Sequence, residues 1–198
     1  MIAARVKDSR SQRFSRGTDG FMRRGLKGGY ALVILFGGGR VRYGSREADL
    51  VAGPYVYSGS ALNGIQGRID RHQKKFYGIG GKNHWHIDAL LAGCSAVAAI
   101  SARSEERVEC RLASALSSLP GMSPVEGFGS TDCRAGCKGH LIRSSLGFEE
   151  TADMVRGAFR ALGLDPIDCS RWERSTEPDQ RMAETIQKMR SHPSRAIK

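Results

Sequence analysis

The segment Tyr30-Ala-Leu-Val-Ile-Leu-Phe36 most constrains what this chain can fold into. It carries no charge, is rich in β-forming side chains and stops at Gly37-Gly38-Gly39. It is far too short to span a bilayer and reads as a strand followed by a hairpin turn. Val41-Arg42-Tyr43 is expected to return antiparallel, and Tyr55-Val56-Tyr57 resumes the strand pattern between Gly53-Pro54 and Gly59. The period then changes. Ile65, Ile69, His72 and Phe76 recur at three or four residues, so a helix is expected from about Leu62. A second helix is expected after Asn83, through Trp85 to Leu91, and Val97 to Ile100 reads as another strand. Ser104 is expected to cap a helix whose buried stripe is Val108, Leu112, Leu116 and Leu119, ending before Pro120. Gly127 to Gly139 is a loop rich in Gly and Cys, Leu141-Ile142 a short strand, and Glu149 to Leu162 a last helix before a polar tail. The expected fold class is α+β, a small antiparallel β-sheet flanked by helices.

The 198 residues suffice for one domain with a core plus extensions. Residues 1–27 hold eight Lys and Arg side chains among Ser, Gly and Gln, and read as a basic disordered arm. Residues 28–147 are expected to form the domain, and residues 148–198 a helical C-terminal extension and polar tail. The formal charge of +11 favours a polyanionic partner, because each phosphate contact releases condensed counterions. No secretory signal or membrane span is visible. Five cysteines is an odd number, which argues against a secreted disulfide framework and for a reducing, cytoplasmic setting.

Four groups of residues carry chemistry, each with a plain rival. Tyr30, after Gly28-Gly29, and Tyr57, before Ser58-Gly59, would meet at one sheet edge if their strands pair; tyrosines also simply suit sheets. Arg68 and His72 are spaced four apart, so both can address one phosphate, Arg as a planar donor and His as a proton carrier. Arg71, Lys74 and Lys75 suit the flanking nucleic-acid backbone, and a solvated basic face is the rival reading. Glu109 follows Val108 on the third helix, where one carboxylate can recruit Mg²⁺; Glu105 and Glu106 belong to the first turn, favoured there by the helix dipole. Cys133, Cys137 and His140 form Cys-x3-Cys-x2-His, three soft ligands for Zn²⁺, with Cys110, Asp132 or His86 as a fourth. Reduced thiols are the rival there, and the imidazoles of His84-Trp85-His86 are equally open to a purely internal role.

Taken together these stretches resemble the GIY-YIG nuclease superfamily. Gly28-Gly29-Tyr30 looks like its first motif and Tyr57-Ser58-Gly59 like its second, with Gly29 and Ser58 in place of the isoleucines. Arg68-x-x-x-His72 and Glu109 in Glu-Cys-Arg-Leu-Ala match the next two elements. Blocks such as Arg-Ile-Asp-Arg-His, His-Trp-His-Ile-Asp and Phe-Gly-Ser-Thr-Asp-Cys resemble an uncharacterised branch, found alone or, in some archaea, fused to a base-excision DNA glycosylase. The Cys-His loop is longer here than in that branch. The resemblance spans Gly28 to about Gly147. It implies a metal-dependent endonuclease acting on DNA rather than RNA, in DNA repair or processing. Glu109 would hold Mg²⁺ or Mn²⁺, Arg68 neutralise the phosphate and Tyr30 act as general base. Tyr57 and His72 would position reactants or relay the proton, and His72 can exchange roles with Tyr30. The rival classes are an inactive nucleic-acid-binding module on the same scaffold and a zinc-stabilised interaction domain.

Overall fold

The computed structural model describes residues 25–43, 46–79, 85–130 and 133–174. The basic arm over residues 1–24, the tail beyond 174, His84 and Asp132 lie outside the described residues. Strands β1 (Gly28–Phe36), β4 (Gly53–Ala61), β5 (Cys94–Arg103), β6 (Met122–Pro124), β7 (Leu141–Ser144) and β8 (Ile167–Glu173) form one sheet. Its order is β6-β7-β4-β1-β5-β8, with every neighbouring pair antiparallel. The fold is α+β, as expected.

β1 is central and buried on both faces, which is why it reads as a continuous apolar run rather than an alternating one. On one face Tyr30, Leu32, Ile34 and Phe36 meet α1 (Ile65–Phe76) and α2 (His86–Ala92). On the other, Ala31 and Val33 meet α3 (Glu109–Ser117) and α4 (Phe148–Ala161). The α1 residues picked out by period, Ile65, Ile69, His72 and Phe76, are its buried ones.

Three expectations are corrected. First, Val41-Arg42-Tyr43 does not return along β1. β4 and β5 occupy both edges of β1, so the chain turns away at Gly38 and Gly39, both at positive φ, and β2 (Gly39–Tyr43) pairs with β3 (Arg46–Leu50). Second, Ser104 does not open the third helix. Its Oγ accepts the Glu106 N–H at 3.1 Å within a turn, so Glu105 and Glu106 precede the helix, which starts at Glu109. The donors at that start are met from another element: Ser60 Oγ of β4 accepts the N–H groups of Val108 and Glu109 at 3.1 and 3.2 Å. Third, Gly147 does not separate the domain from an extension. α4, the helix expected over Glu149–Leu162, packs in the core beside α3, and the stretch read as polar tail supplies β8 and the buried Trp172. Among the described residues no helix is long and apolar enough to cross a membrane.

Candidate active site and an adjoining Cys3His cluster

Register brings the two tyrosines together. Tyr57 lies opposite Leu32, two residues along β1 from Tyr30, so alternation puts both phenols on the α1 face of the sheet. Their ring centroids are 6.5 Å apart. Tyr30 lies opposite Gly59, and its ring covers that backbone so closely that a Cβ there would strike it. Gly29 faces the other way, and Val108, the residue before α3, fills the space a side chain would need. The glycines around Tyr30 and Tyr57 therefore let a phenol and a helix start approach the same two strands.

α1 supplies the next groups. His72 is buried beneath both phenols, with ring centroids 5.4 Å from Tyr30 and 6.3 Å from Tyr57. The Tyr30 hydroxyl and His72 Nε2 share a hydrogen bond of 2.9 Å, while Nδ1 is buried with no partner. Burial takes the His72 pKa from 6.5 down to about 3, with Arg71 and Arg68 depressing it further and Asp88 opposing. Imidazole is therefore neutral at pH 7. Burial also pushes Tyr30 well above the ordinary phenol range and Tyr57 up to about 12. Tyr57 and Glu109 raise Tyr30 further, Glu109 and Asp88 raise Tyr57, and Arg68 and Arg71 pull both down.

Arg68 and Arg71 sit side by side, with guanidinium carbons 5.0 and 5.4 Å from the centre of the Trp85 ring. Arg71 does not simply address a flanking backbone. Its Nη2 donates to both carboxylate oxygens of the buried Asp88, at 2.9 and 2.7 Å. Lys74 is exposed and Lys75 half-buried, both in the last turn of α1.

Glu109 comes from the opposite side of the sheet. The apolar side of α3 packs away from α1, but its first residue reaches the rim of β4, where β7 has ceased to pair beyond Tyr57. There Glu109 Oε2 accepts the Ser60 N–H at 3.1 Å, and Oε1 has no partner among the described residues. The carboxylate is the strongest single charge acting on Tyr57. Tyr30, Tyr57, Arg68, His72 and Glu109 thus influence one another around one end of β1 and β4.

Beside Glu109 lies a second constellation. Cys110, Cys133, Cys137 and His140 present ligand atoms all within 4.8 Å of one another, a set that could hold a metal ion. Cys110 Sγ is 3.5 Å from Cys133 Sγ and 3.6 Å from His140 Nε2. Of the candidates for a fourth ligand, Cys110 is the one that joins; His86 packs edge-on against Tyr43 and Phe128 instead. Burial and two neighbouring thiols push Cys110 up to about 12, whereas the Cys137 backbone amide leads in bringing Cys133 down to about 6. The backbone amide thus biases Cys133 toward the thiolate, the form that binds a soft metal.

Residues 30–164 match the model of a family described as Domain of unknown function DUF123. The chain belongs to that family. No curated protein matches it, and no solved structure does. The DUF123 span takes in every residue of both constellations and stops short of β8. Two residues that organise this DUF123 site carried little sequence signal. Ser60 looks like an ordinary strand serine, and Asp88 like a first-turn acidic residue. Only tertiary structure shows that one caps α3 and the other holds Arg71.

Proposed function

We propose that this chain is a metal-dependent endonuclease of the GIY-YIG type, hydrolysing phosphodiester bonds in DNA during repair or processing. One observation carries the reading: a buried Tyr30–His72 hydrogen bond lies beside Tyr57 and Arg68, with a carboxylate acting on both phenols from the sheet rim. The order of motifs and the net charge of +11 add to it.

Glu109 fits a divalent ion of the Mg²⁺ class, since one oxygen is fixed by the Ser60 N–H and the other has no partner among the described residues. Mg²⁺ or Mn²⁺ there would polarise the phosphate and favour the departing alkoxide. The remaining chemistry falls to the chain itself. Arg68 donates to non-bridging oxygens as their charge grows. Water attacking phosphorus gives its proton to the Tyr30 oxygen, while Tyr30 passes its own to His72 Nε2. This relay avoids a free phenolate, which burial disfavours, and starts from a neutral imidazole; the imidazolium it forms, disfavoured at rest by burial, Arg71 and Arg68, is offset only by the negative charge that the phosphate brings beside it. Tyr57 confines the water. In the Cys3His cluster the proposed ion is Zn²⁺ in a structural role, because four protein ligands close a tetrahedron.

The test is nicking of plasmid and synthetic duplexes with and without Mg²⁺. Glu109→Ala and Arg68→Ala should each lose about 10²–10³ in rate, the usual scale for one preorganised charge-stabilising group, with unchanged circular dichroism. If both variants cut like the wild type, the hydrolase assignment falls.

A further inference from the structure

We infer that Trp85 is a stacking platform for an unpaired nucleobase, so that the preferred substrate exposes a base next to the phosphate held by Arg68. This rests on the phosphate-binding role proposed for Arg68 and adds the class of nucleic acid the site takes.

Trp85 is 45% exposed, although a ring of that size is ordinarily drawn into the core or onto a partner. Its main chain is nonetheless held. The Trp85 backbone N–H donates to Asp88 Oδ2 at 3.1 Å, and the same buried carboxylate takes Arg71 Nη2. Arg68 and Arg71 then lie against the indole at 5.0 and 5.4 Å. An indole whose backbone and packing are already set gives up little conformational freedom when a ligand arrives. Its surroundings are cationic, which suits a strand whose bases stack while its phosphates are neutralised.

The place of Arg68 on α1 decides between a general affinity surface and part of the substrate site. Arg68 is four residues from His72 on α1, and the same guanidinium that touches Trp85 also lowers the pKa of Tyr30 and Tyr57. A base on the indole and a phosphate on Arg68 therefore belong to the same or adjacent nucleotides. Within a continuous duplex both faces of a base are covered by its neighbours, so stacking on Trp85 requires a base that is single-stranded or extruded.

The chain has two tryptophans, and the other, Trp172, is buried out of a ligand's reach, so the emission lost when a base stacks is that of Trp85. Emission is titrated without added Mg²⁺ or Mn²⁺ and without a chelator, so that nothing is cut and the Cys3His cluster keeps its ion, with a short oligothymidylate and with a blunt mixed-sequence duplex. The oligothymidylate should quench the wild type and leave Trp85→Phe unquenched. By anisotropy with labelled strands, Trp85→Ala should bind oligothymidylate roughly tenfold more weakly, the scale of one lost base stack, with duplex affinity changed less than about twofold. Trp85→Phe, which keeps an aromatic face, should retain most of the affinity and guards against a folding defect in the alanine variant. Absence of quenching, or equal losses on single strand and duplex, overturns the platform. Nicking is read separately. Wild type that nicks in Mg²⁺ without quenching in its absence refutes the platform and leaves the hydrolase standing. Quenching without nicking does the reverse.

Discussion

A phenol and an imidazole sealed under a helix must hold their protons differently from the same groups in water, and Tyr30 and His72 do so in complementary ways. Burial disfavours phenolate at one and imidazolium at the other, so their 2.9 Å bond is neutral at rest. The consequence for stability has a definite sign. In the unfolded chain His72 takes up a proton below about its ordinary value of 6.5, whereas folded His72 does not until about 3. The unfolded state therefore gains protons first, and stability falls as pH drops across that window. Thermal melts between pH 7 and 4 should show this loss, and His72→Gln should flatten it relative to the wild type once the shared carboxylate contribution is subtracted. A variant whose melting temperature falls with acid as steeply as the wild type would remove His72 from the account. At this scale much was legible. Tyr30, Tyr57, Arg68, His72 and Glu109 stand out because their residue types and order resemble a known set of motifs, and an i, i+4 spacing survives any detail of packing. What stayed hidden were their partners. Nothing in the spacing of Ser60 or Asp88 announces a contact with α3 or Arg71.

α3 is a short helix whose first two residues belong to different sites, Glu109 to the rim of β4 and Cys110 to the Cys3His cluster. The cluster also reaches β4, since the His140 carbonyl accepts the Ser58 N–H at 2.9 Å, next to Tyr57. An ion binding Cys110 and His140 would therefore clamp the start of α3 to the strand that carries Tyr57. Structural zinc sites contribute folding free energy directly, because the unfolded chain offers no preformed site. Native mass spectrometry should find one zinc per chain, falling to none in Cys110→Ser. Chelation should lower the melting temperature by about 10 °C, which for a domain of this size corresponds to a few kcal/mol. It should also expose thiols to alkylation at Cys110, Cys133 and Cys137, while the buried Cys94 stays protected. Metal-free protein with an unaltered melting temperature would make these ordinary reduced thiols. Cys133, Cys137 and His140 were legible as ligands because they crowd one loop. Cys110 was only one candidate of three, because a ligand brought in by a distant helix leaves no spacing rule in the sequence.

For the whole molecule, the sheet order explains where reading by pattern succeeded and where it stopped. β1 and β5 are interior strands; the apolar run of β1 is read over most of its length, whereas β5 shows in the sequence only as Val97 to Ile100. β8 is an edge strand whose alternation slips: between Ala99 and Ile100 the register against β5 shifts, so Ile167 and Cys169 are followed inward by Trp172. A strand with one polar face and a bulge reads as tail. It is nonetheless a closing element. Trp172 is buried against Phe76 with ring centroids 6.0 Å apart. Just beyond, Arg174 donates to Cys94 O at 2.9 Å and Ala92 O at 3.2 Å, and also to Phe76 O, binding the ends of α1 and α2 to the start of β5. The DUF123 span ends at Leu164 and leaves all of this out. Two truncations therefore separate the family span from the folding unit. A chain ending at residue 174 should melt cooperatively near the full-length value, whereas one ending at Leu164 bares the β5 edge and the cavity left by Trp172, and should aggregate or melt without a transition. Trp172→Ala isolates the packing part, at about 3–5 kcal/mol, or roughly 10 °C in melting temperature. If the shorter chain melts as sharply as the longer one, β8 is an ornament on a domain complete without it, and the sheet that carries Tyr30 and Tyr57 needs only five strands.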